Sequence, residues 1–149
     1  MLRSPVGGAY RHVLDLARGL SKRGVQVGLV LSSKNSLSSI NIQELVDICK
    51  IGVWFLPISR GVSVGLIRSV CILRRIIENN NFEIIHLHGA QAGLIGRFSA
   101  VGLGNKKIIY TPHGGSLHLA EIFFIGSFVV LIEKFLLWLN TDGILFEST

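Results

Sequence analysis

The amino-acid sequence predicts an α/β fold in which a parallel sheet carries helices on both faces. Short apolar runs alternate along the chain with segments of helical periodicity. Each run is apolar throughout rather than at every second position, which is typical of strands that are covered on both faces. Strands that alternate with helices favour right-handed βαβ connections and therefore a parallel sheet. The predicted class is a Rossmann-like sheet with its first strand largely missing.

The predicted elements alternate along the whole chain. The apolar runs predict strands at residues 25–31, 52–58, 83–87, 107–111 and 143–146. In the first helical segment, Val13, Leu16, Ala17 and Leu20 recur with helical spacing, and Gly24 supplies a stop. Similar patterns predict helices within residues 42–50, 66–77, 90–101 and 127–139.

The first strand of this sheet is expected to be incomplete. Gly7 and Gly8 occupy the place of a first strand-to-helix turn, but only residues 1–5 precede the adjoining loop. A strand usually takes about five or six residues, and the first strand of a doubly wound sheet is commonly central. Its loss would remove hydrogen-bond partners from two neighbouring strands and expose the core. We therefore expect a chain truncated at its start, as a mis-assigned start codon or a gene fragment.

Composition restricts the class of protein and of partner. The chain has 149 residues, of which 49% are hydrophobic and 16% charged, so it is long enough for one domain and is not disordered. The formal charge is +6, but the cations are scattered and no aromatic residues interleave with them. This pattern disfavours a nucleic-acid partner. An anionic small molecule or a membrane surface suits the charge better.

Two further patterns bear on the compartment. Cys49 and Cys71 lie in apolar periodic segments without metal-binding spacing, so both are expected to be buried thiols in a reducing compartment, the cytoplasm. No signal peptide is predicted. The apolar stretch at residues 122–139 is interrupted by Glu133 and Lys134 and is too short to span a membrane, and a helix buried on most sides is favoured over membrane contact. Glu133 is expected to pair locally at the surface.

The first candidate site is the glycine pair before the first helix. Gly7 and Gly8 let the backbone approach a ligand closely, and the free N–H groups of the helix start favour an anion such as a diphosphate. Arg11 and His12 in the first turn add positive potential. A simple turn is the open alternative. The segment is not the dinucleotide fingerprint, and no acidic residue ends the second strand to bind a ribose.

Two other candidate sites follow strands. His88 lies at a strand tip before a glycine, whereas His86 is expected to be satisfied inside the fold. His113 follows the next strand, and Gly114 begins the glycine pair that permits a sharp turn after it. Ligands of open α/β sheets bind beyond the carboxyl ends of the strands. The three sites are therefore predicted to converge on one cleft.

These segments together resemble the amino-terminal domain of GT-B glycosyltransferases of the subfamily 4-like type. The glycine pair and first helix are similar to that family's, and so is the basic-glycine-valine junction, although Val25 replaces the usual histidine. The later landmarks follow in the family's order. The matching segments are residues 7–17, 20–27, 85–89, 110–114 and 141–148.

The resemblance implies that residues 1–149 form the acceptor-side domain and that the nucleotide-sugar domain is absent. The amides of Gly7 and Gly8 would face the donor diphosphate, and His88 would line the acceptor side. His113 would be the catalytic residue and would hydrogen-bond the transferred sugar. Arg11 and Gly114 would also contact substrate. Such enzymes transfer a hexose from a nucleotide sugar with retention of configuration, and they need no metal or other cofactor. Their acceptors are often glycans or lipid-linked precursors. For this chain, such an acceptor would imply peripheral contact at the inner face of the membrane.

Two other functions remain open. The chain could be a non-catalytic remnant or binding module of the same fold. A sugar-nucleotide epimerase of related architecture would need acid and base carboxylates at the cleft, and the sequence offers no clear candidate. No nucleophile elbow, phosphate loop or paired-carboxylate motif is present, which disfavours hydrolases.

Overall fold

A computed structural model of the protein describes residues 1–3, 7–33, 40–58, 64–113 and 123–146. Helices and strands alternate as predicted. The helices are α1 (Gly8–Lys22), α2 (Ile42–Ile48), α3 (Val64–Asn79), α4 (Ala90–Ser99) and α5 (Phe123–Asn140). The strands are β1 (Gly28–Ser32), β2 (Gly52–Leu56), β3 (Ile84–His88), β4 (Lys107–Thr111) and β5 (Gly143–Ile144).

All the described strand pairs are parallel, which confirms the predicted sheet. β1 pairs with β2, and β3, β4 and β5 pair in that order. The two groups of strands are joined by Leu2, which forms a parallel bridge to Leu31 on one side and to His88 on the other. The order across the sheet is therefore β2, β1, Leu2, β3, β4, β5. The central first strand is reduced to a single bridging residue, as the sequence predicts.

Each face of the sheet carries its own hydrophobic cluster beneath its helices. One cluster joins α1 and α2 to the sheet and is built from Leu2, Val13, Leu14, Leu29, Leu31, Ile40, Leu45 and Cys49. The other joins α3 and α4 to the opposite face and contains Val30, Leu56, Ile58, Leu73, Ile77, Ile85, Leu87, Ile95, Ala100, Ile108 and Tyr110. Alternate strand residues enter opposite clusters because successive side chains of a strand point to opposite faces.

A buried arginine connects α4, α5 and β4. The side chain of Arg97 is fully buried, and it donates hydrogen bonds to the Gly93 carbonyl at 2.9 Å and to the Glu133 carboxylate at 2.7 Å. Its guanidinium carbon lies 4.4 Å from the centre of the Tyr110 ring. The expectation that Glu133 pairs locally at the surface is therefore wrong. A buried guanidinium needs a carboxylate, and Glu133 supplies it across the helix interface.

The expectation that α5 is buried on most sides is also wrong for its described side chains. Leu136 is buried, but Leu131, Phe135 and Trp138 are 64%, 49% and 81% exposed. These three residues follow one another at helical spacing and lie opposite Glu133, whose face packs against α4. In the described part of the chain, no helix is long and apolar enough to cross a membrane.

The two cysteines differ in their environments. Cys49 is buried, as predicted, and burial raises the pKa of its thiol. Cys71 is exposed, which corrects the prediction that both thiols are buried. On α3 the buried positions are Ser69, Leu73 and Ile77, which recur every four residues. Cys71 lies two residues from this series and so on the opposite side of the helix.

Removal of the Glu133 carboxylate is expected to destabilise the fold. In Glu133→Ala, Arg97 keeps its buried charge but loses its carboxylate partner. The free energy of unfolding should therefore decrease by an amount near the lower end of the range of about 3–5 kcal/mol that is typical of a broken buried pair. Urea denaturation followed by circular dichroism measures this. Glu78→Ala is the matched control, because it removes the partner of Arg74 from an exposed helical pair, which should cost at most about 0.5 kcal/mol. Equal losses in the two variants would contradict the structural role of Arg97.

Candidate functional site

Four histidine rings meet near the carboxyl ends of β3 and β4. His86 and His88 alternate along β3, so both side chains project towards the face that carries α1, and their ring centres are 4.0 Å apart. Ile85 and Leu87 take the intervening positions and enter the opposite cluster. His113 follows β4, and His12 comes from α1. The predicted convergence of His88 and His113 is present in the structure.

The closest polar contact of this cluster joins His88 to His113. Nδ1 of His88 lies 3.1 Å from Nε2 of His113, and the ring centres are 5.3 Å apart. One of these nitrogens must carry the proton and donate, while the other accepts. The contact therefore couples the tautomers. If Nε2 of His113 accepts, its Nδ1 carries the proton, whereas a neutral His113 that donates through Nε2 has an acceptor at Nδ1.

His12 completes the cluster and was missing from the predicted site residues. Its ring centre lies 5.8 Å from that of His88 and 5.9 Å from that of His113. From the sequence, His12 is expected only to add positive potential near the glycine pair. Its position beside Val13, a core residue, was the available signal, because helix residues next to the buried stripe border the sheet edge.

His86 is held inside the fold, as predicted. Its Nε2 lies 2.8 Å from the Thr111 hydroxyl, and its carbonyl accepts a hydrogen bond from the Met1 amino group at 2.7 Å. Thr111 is buried on β4, and strand pairing places His88, two residues after His86, opposite it in register. These contacts fix β3 and β4 relative to the amino-terminal segment (residues 1–3).

Burial makes the two β3 histidines weak bases. His88 is 2% exposed, and burial, followed by the neighbouring amino terminus and the other histidines, lowers its pKa to about 2. The same causes lower the pKa of His86 to about 4. Burial also lowers the pKa of the Met1 amino group to about 5. At neutral pH these three groups are uncharged, so they act through hydrogen bonds rather than through positive charge.

The glycine turns present free helix starts at the same edge of the sheet. Gly7 precedes α1 and Gly89 precedes α4, with φ angles of 83° and 81°, a region that favours glycine. Neither helix start has a side-chain cap. At Gly7 and Gly8 an added Cβ would meet no atom of the described residues within 4 Å. Gly8 lies about 6 Å along the helix axis from His12.

The remaining predicted site residues have different outcomes. Arg11 is exposed on the first turn of α1, next to His12 in sequence. Gly114 lies outside the described residues, so its predicted role stays a prediction.

Within the ranges that the structure describes, no group of three or more histidine, cysteine or acidic side chains has the arrangement of a metal site. The arrangement as a whole combines free backbone N–H groups, an exposed cation and neutral imidazoles that can donate or accept hydrogen bonds.

Comparison with known proteins identifies a family. The family model described as Glycosyltransferase Family 4 matches residues 6–148, nearly the whole chain. This range includes the glycine pair, all four histidines of the cluster and every described helix and strand. Neither the curated proteins nor the solved structures give a match.

The stability of the fold should decrease as the pH is lowered from 8 to 5. The pKa values of His86 and His88 fall from 6.5 to about 4 and about 2, and that of the Met1 amine falls from 8.0 to about 5. The unfolded chain therefore binds more protons than the folded chain in this range, and the stabilisation present at higher pH is lost as the pH falls. Urea midpoints measured at several pH values test this.

Two comparisons separate the contributing groups. In His88→Gln the midpoint should change less between pH 7 and pH 5, whereas the exposed Glu78→Gln variant should keep the original dependence. Acetylation of the amino terminus should flatten the dependence between pH 8 and pH 7, where the histidines contribute little. A midpoint that stays constant or rises as the pH falls would exclude buried neutral bases at these positions.

Proposed function

The chain belongs to glycosyltransferase family 4, and on this premise we propose that it takes part in sugar transfer from a nucleotide-sugar donor to a glycan or lipid-linked acceptor, with retention of configuration. The observation that carries the proposal is the pairing of His88 with His113 beside the open, glycine-capped start of α1. This arrangement offers an anion site and a sugar hydrogen-bonding site at one sheet edge.

The start of α1 would bind the donor diphosphate. The first N–H groups of a helix lack carbonyl partners within the helix, and the helix dipole adds partial positive charge there. Because an added Cβ at Gly7 or Gly8 would contact none of the residues that the structure describes, phosphate oxygens would be able to approach the backbone closely there. Arg11 is exposed on the same turn and would add a full positive charge. These groups would stabilise the diphosphate as it departs, because negative charge develops on it in the transition state.

His113 would hydrogen-bond the transferred sugar, and His88 would hold the His113 ring in place. Because His88 is buried and neutral, it offers His113 one donor or one acceptor without adding charge. A fixed tautomer would let His113 Nδ1 discriminate between a hydroxyl that accepts and one that donates. His12 borders both rings and would face the acceptor side together with His88.

Transfer itself would need a second domain to complete the cleft. The described residues supply one wall, made of helix starts and histidines, and by family resemblance the nucleotide pocket lies on a carboxyl-terminal domain. Assays of the 149-residue chain with a panel of nucleotide sugars and acceptors should therefore give no turnover. Measurable transfer by this chain would overturn the need for a second domain.

Binding of the donor's anionic part can be tested on the chain as it stands. Inorganic pyrophosphate and nucleotide sugars should shift the amide NMR signals of Gly7 and Gly8, with an affinity that falls as salt rises. Arg11→Gln should weaken binding roughly tenfold through loss of one charge-assisted contact. Lys22→Gln is the matched control, because it removes one exposed charge from the other end of α1. Shifts that avoid the glycine pair, or equal effects of both variants, would contradict the diphosphate site.

The alternative functions predict other outcomes once the chain is joined to a second domain of its family. In the transferase, His113→Ala should lower turnover by about 100-fold or more, as expected for loss of a preorganised donor. Epimerisation of the donor sugar without any acceptor would favour the epimerase. Donor binding without turnover would favour a binding module.

We also propose that α5 contacts a membrane surface peripherally, where a lipid-linked acceptor would lie. Its exposed stripe of Leu131, Phe135 and Trp138 supplies apolar area, and tryptophan is well suited to the interface between water and lipid. The chain's net charge of +6 favours anionic lipids. The chain should co-sediment with anionic vesicles, and Trp138→Ser should reduce the bound fraction severalfold. Cys71→Ser is the control on another helix, and an absence of pelleting would count against membrane contact.

A further inference from the structure

Stability alone does not account for the buried ion pair of Arg97 and Glu133. The Nη1 atom of Arg97 is buried and has no hydrogen-bond partner among the residues that the structure describes. Removal of a guanidinium from water costs free energy, and the attraction of one carboxylate offsets that cost only in part. Apolar side chains of similar size in place of a buried ion pair are often neutral or stabilising. What the charged pair supplies is direction, because each of its hydrogen bonds requires a particular geometry.

α4 holds the end of β4 with one residue from each of three successive turns. At the start of α4, the Gly89 N–H donates to the Thr111 carbonyl at 2.9 Å. One turn later, Gly93 lies so close to the Tyr110 ring that an added Cβ would come within 2.6 Å of it. One turn further on, the side chain of Arg97 extends back along the helix, and its guanidinium carbon lies 4.4 Å from the centre of the same ring. These contacts fix the last two residues of β4.

The residues that α4 fixes lead directly to His113. His113 follows Thr111 by two residues, and its Nε2 lies 3.1 Å from Nδ1 of His88. His88 ends β3 and is paired in register with Thr111. Glu133 belongs to α5, the helix that follows His113 in the chain, and its carboxylate accepts a hydrogen bond from the guanidinium of Arg97 at 2.7 Å. Arg97 therefore contacts both the strand before His113 and the helix after it.

We propose that Arg97, together with Glu133, is a positioning residue that holds His113 against His88 in the orientation that sugar transfer needs. This inference rests on the proposed function, in which His113 hydrogen-bonds the transferred sugar. Displacement of such a group by about 1 Å costs about 100-fold in rate, so a rigid support beneath the end of β4 bears directly on transfer. A support for folding alone would not need this geometry, because apolar side chains supply comparable stability.

The contacts of Arg97 require an arginine rather than any cation. Its Nε donates to the Gly93 carbonyl at 2.9 Å while its Nη2 donates to Glu133, and the plane between them lies over the Tyr110 ring. A planar guanidinium makes all three contacts at once, whereas a lysine ammonium is a single point charge on a flexible stem. Arg97→Lys would therefore keep the ion pair and lose the fixed support of the Tyr110 ring.

Exchange of the pair for apolar residues separates positioning from stability. In the double variant that combines Arg97→Met with Glu133→Leu, the urea midpoint should stay the same or rise. The nuclear Overhauser effect between the rings of His88 and His113 should nevertheless weaken severalfold, because the end of β4 is no longer held. Glu133→Gln is the matched control. Its amide oxygen still accepts from Arg97 but carries no charge, so the midpoint should fall while the ring contact stays. An unchanged ring contact in the folded double variant would overturn the proposal.

A second variant displaces the Tyr110 ring while both members of the ion pair remain. In Gly93→Ala the new methyl group would overlap that ring, so the contact between the rings of His88 and His113 should weaken as it does in the double variant. Gly104→Ala is the matched control, because an added Cβ there meets no atom of the described residues within 4 Å. If the double variant does not fold, this comparison decides, and equal ring contacts in the two alanine variants would overturn the proposal.

Kinetics distinguish failure of this proposal from failure of the proposed function. In the chain joined to a second domain of its family, Arg97→Lys should lower kcat about tenfold or more, while KM for the donor changes little because the start of α1 is untouched. Transfer by Arg97→Lys at the unmodified rate would exclude the positioning role and leave the function standing. Absence of transfer by the unmodified two-domain protein would instead refute the proposed function, and the ring contacts of His88 and His113 would still decide the role of Arg97.

Discussion

The double pairing of Leu2 is the constraint on which the rest of the structure depends. β1 and β2 form one group of strands, β3, β4 and β5 form another, and within the described residues only Leu2 bridges the two. Its neighbour Met1 reaches β3 through its carbonyl and its amino group. The helix layers reinforce this junction, because the cluster beneath α3 and α4 contains side chains of both strand groups and the cluster beneath α1 and α2 contains Leu2.

The same junction explains the chemistry of the histidine cluster. The backbone of His88 pairs with Leu2, and the ring of His88 contacts His113. The residue that closes the sheet therefore also contacts the candidate catalytic histidine. α1 brings the ring of His12 to within 5.8 Å of that of His88 and 5.9 Å of that of His113. Burial depresses the pKa values of His86 and His88. The two neutral imidazoles of β3 therefore lie next to the junction that closes the sheet.

Local patterns in the sequence predict most of the fold, and long-range pairings account for the errors. The β-branched apolar run at residues 107–111 gives the bounds of β4 as the structure has them. β1 begins later than predicted, because Val25 lies beyond the end of the β1–β2 pairing and is half exposed. The salt bridge between Arg97 and Glu133 spans 36 residues, and no local pattern could reveal it. The exposure of Trp138 depends on which elements pack against α5, and the hydrophobic pattern of this helix does not show which of its faces they cover.

The candidate site, like the fold, could be predicted in part from the sequence. His88 ends β3 and His113 follows the adjacent strand β4, so the rule that ligands bind at the carboxyl edge of a parallel sheet predicts that they lie close together. The distance of His12 from the other histidine rings depends on how α1 is rotated about its axis. The spacing of the buried residues of α1 could have indicated that rotation. The family assignment agrees with the order of the motifs along the chain.

Hydrogen exchange at two adjacent amides tests the central claim most directly. The His88 N–H donates across the Leu2 junction to Met1, whereas Leu87 belongs to the opposite edge of β3, which pairs with β4. If Leu2 and Met1 close the sheet, the amides of His88 and Leu87 should both be protected, and Leu2→Pro should expose the His88 amide while leaving Leu87 protected. Unprotected exchange at His88 in the unmodified chain, beside a protected Leu87, would contradict the account.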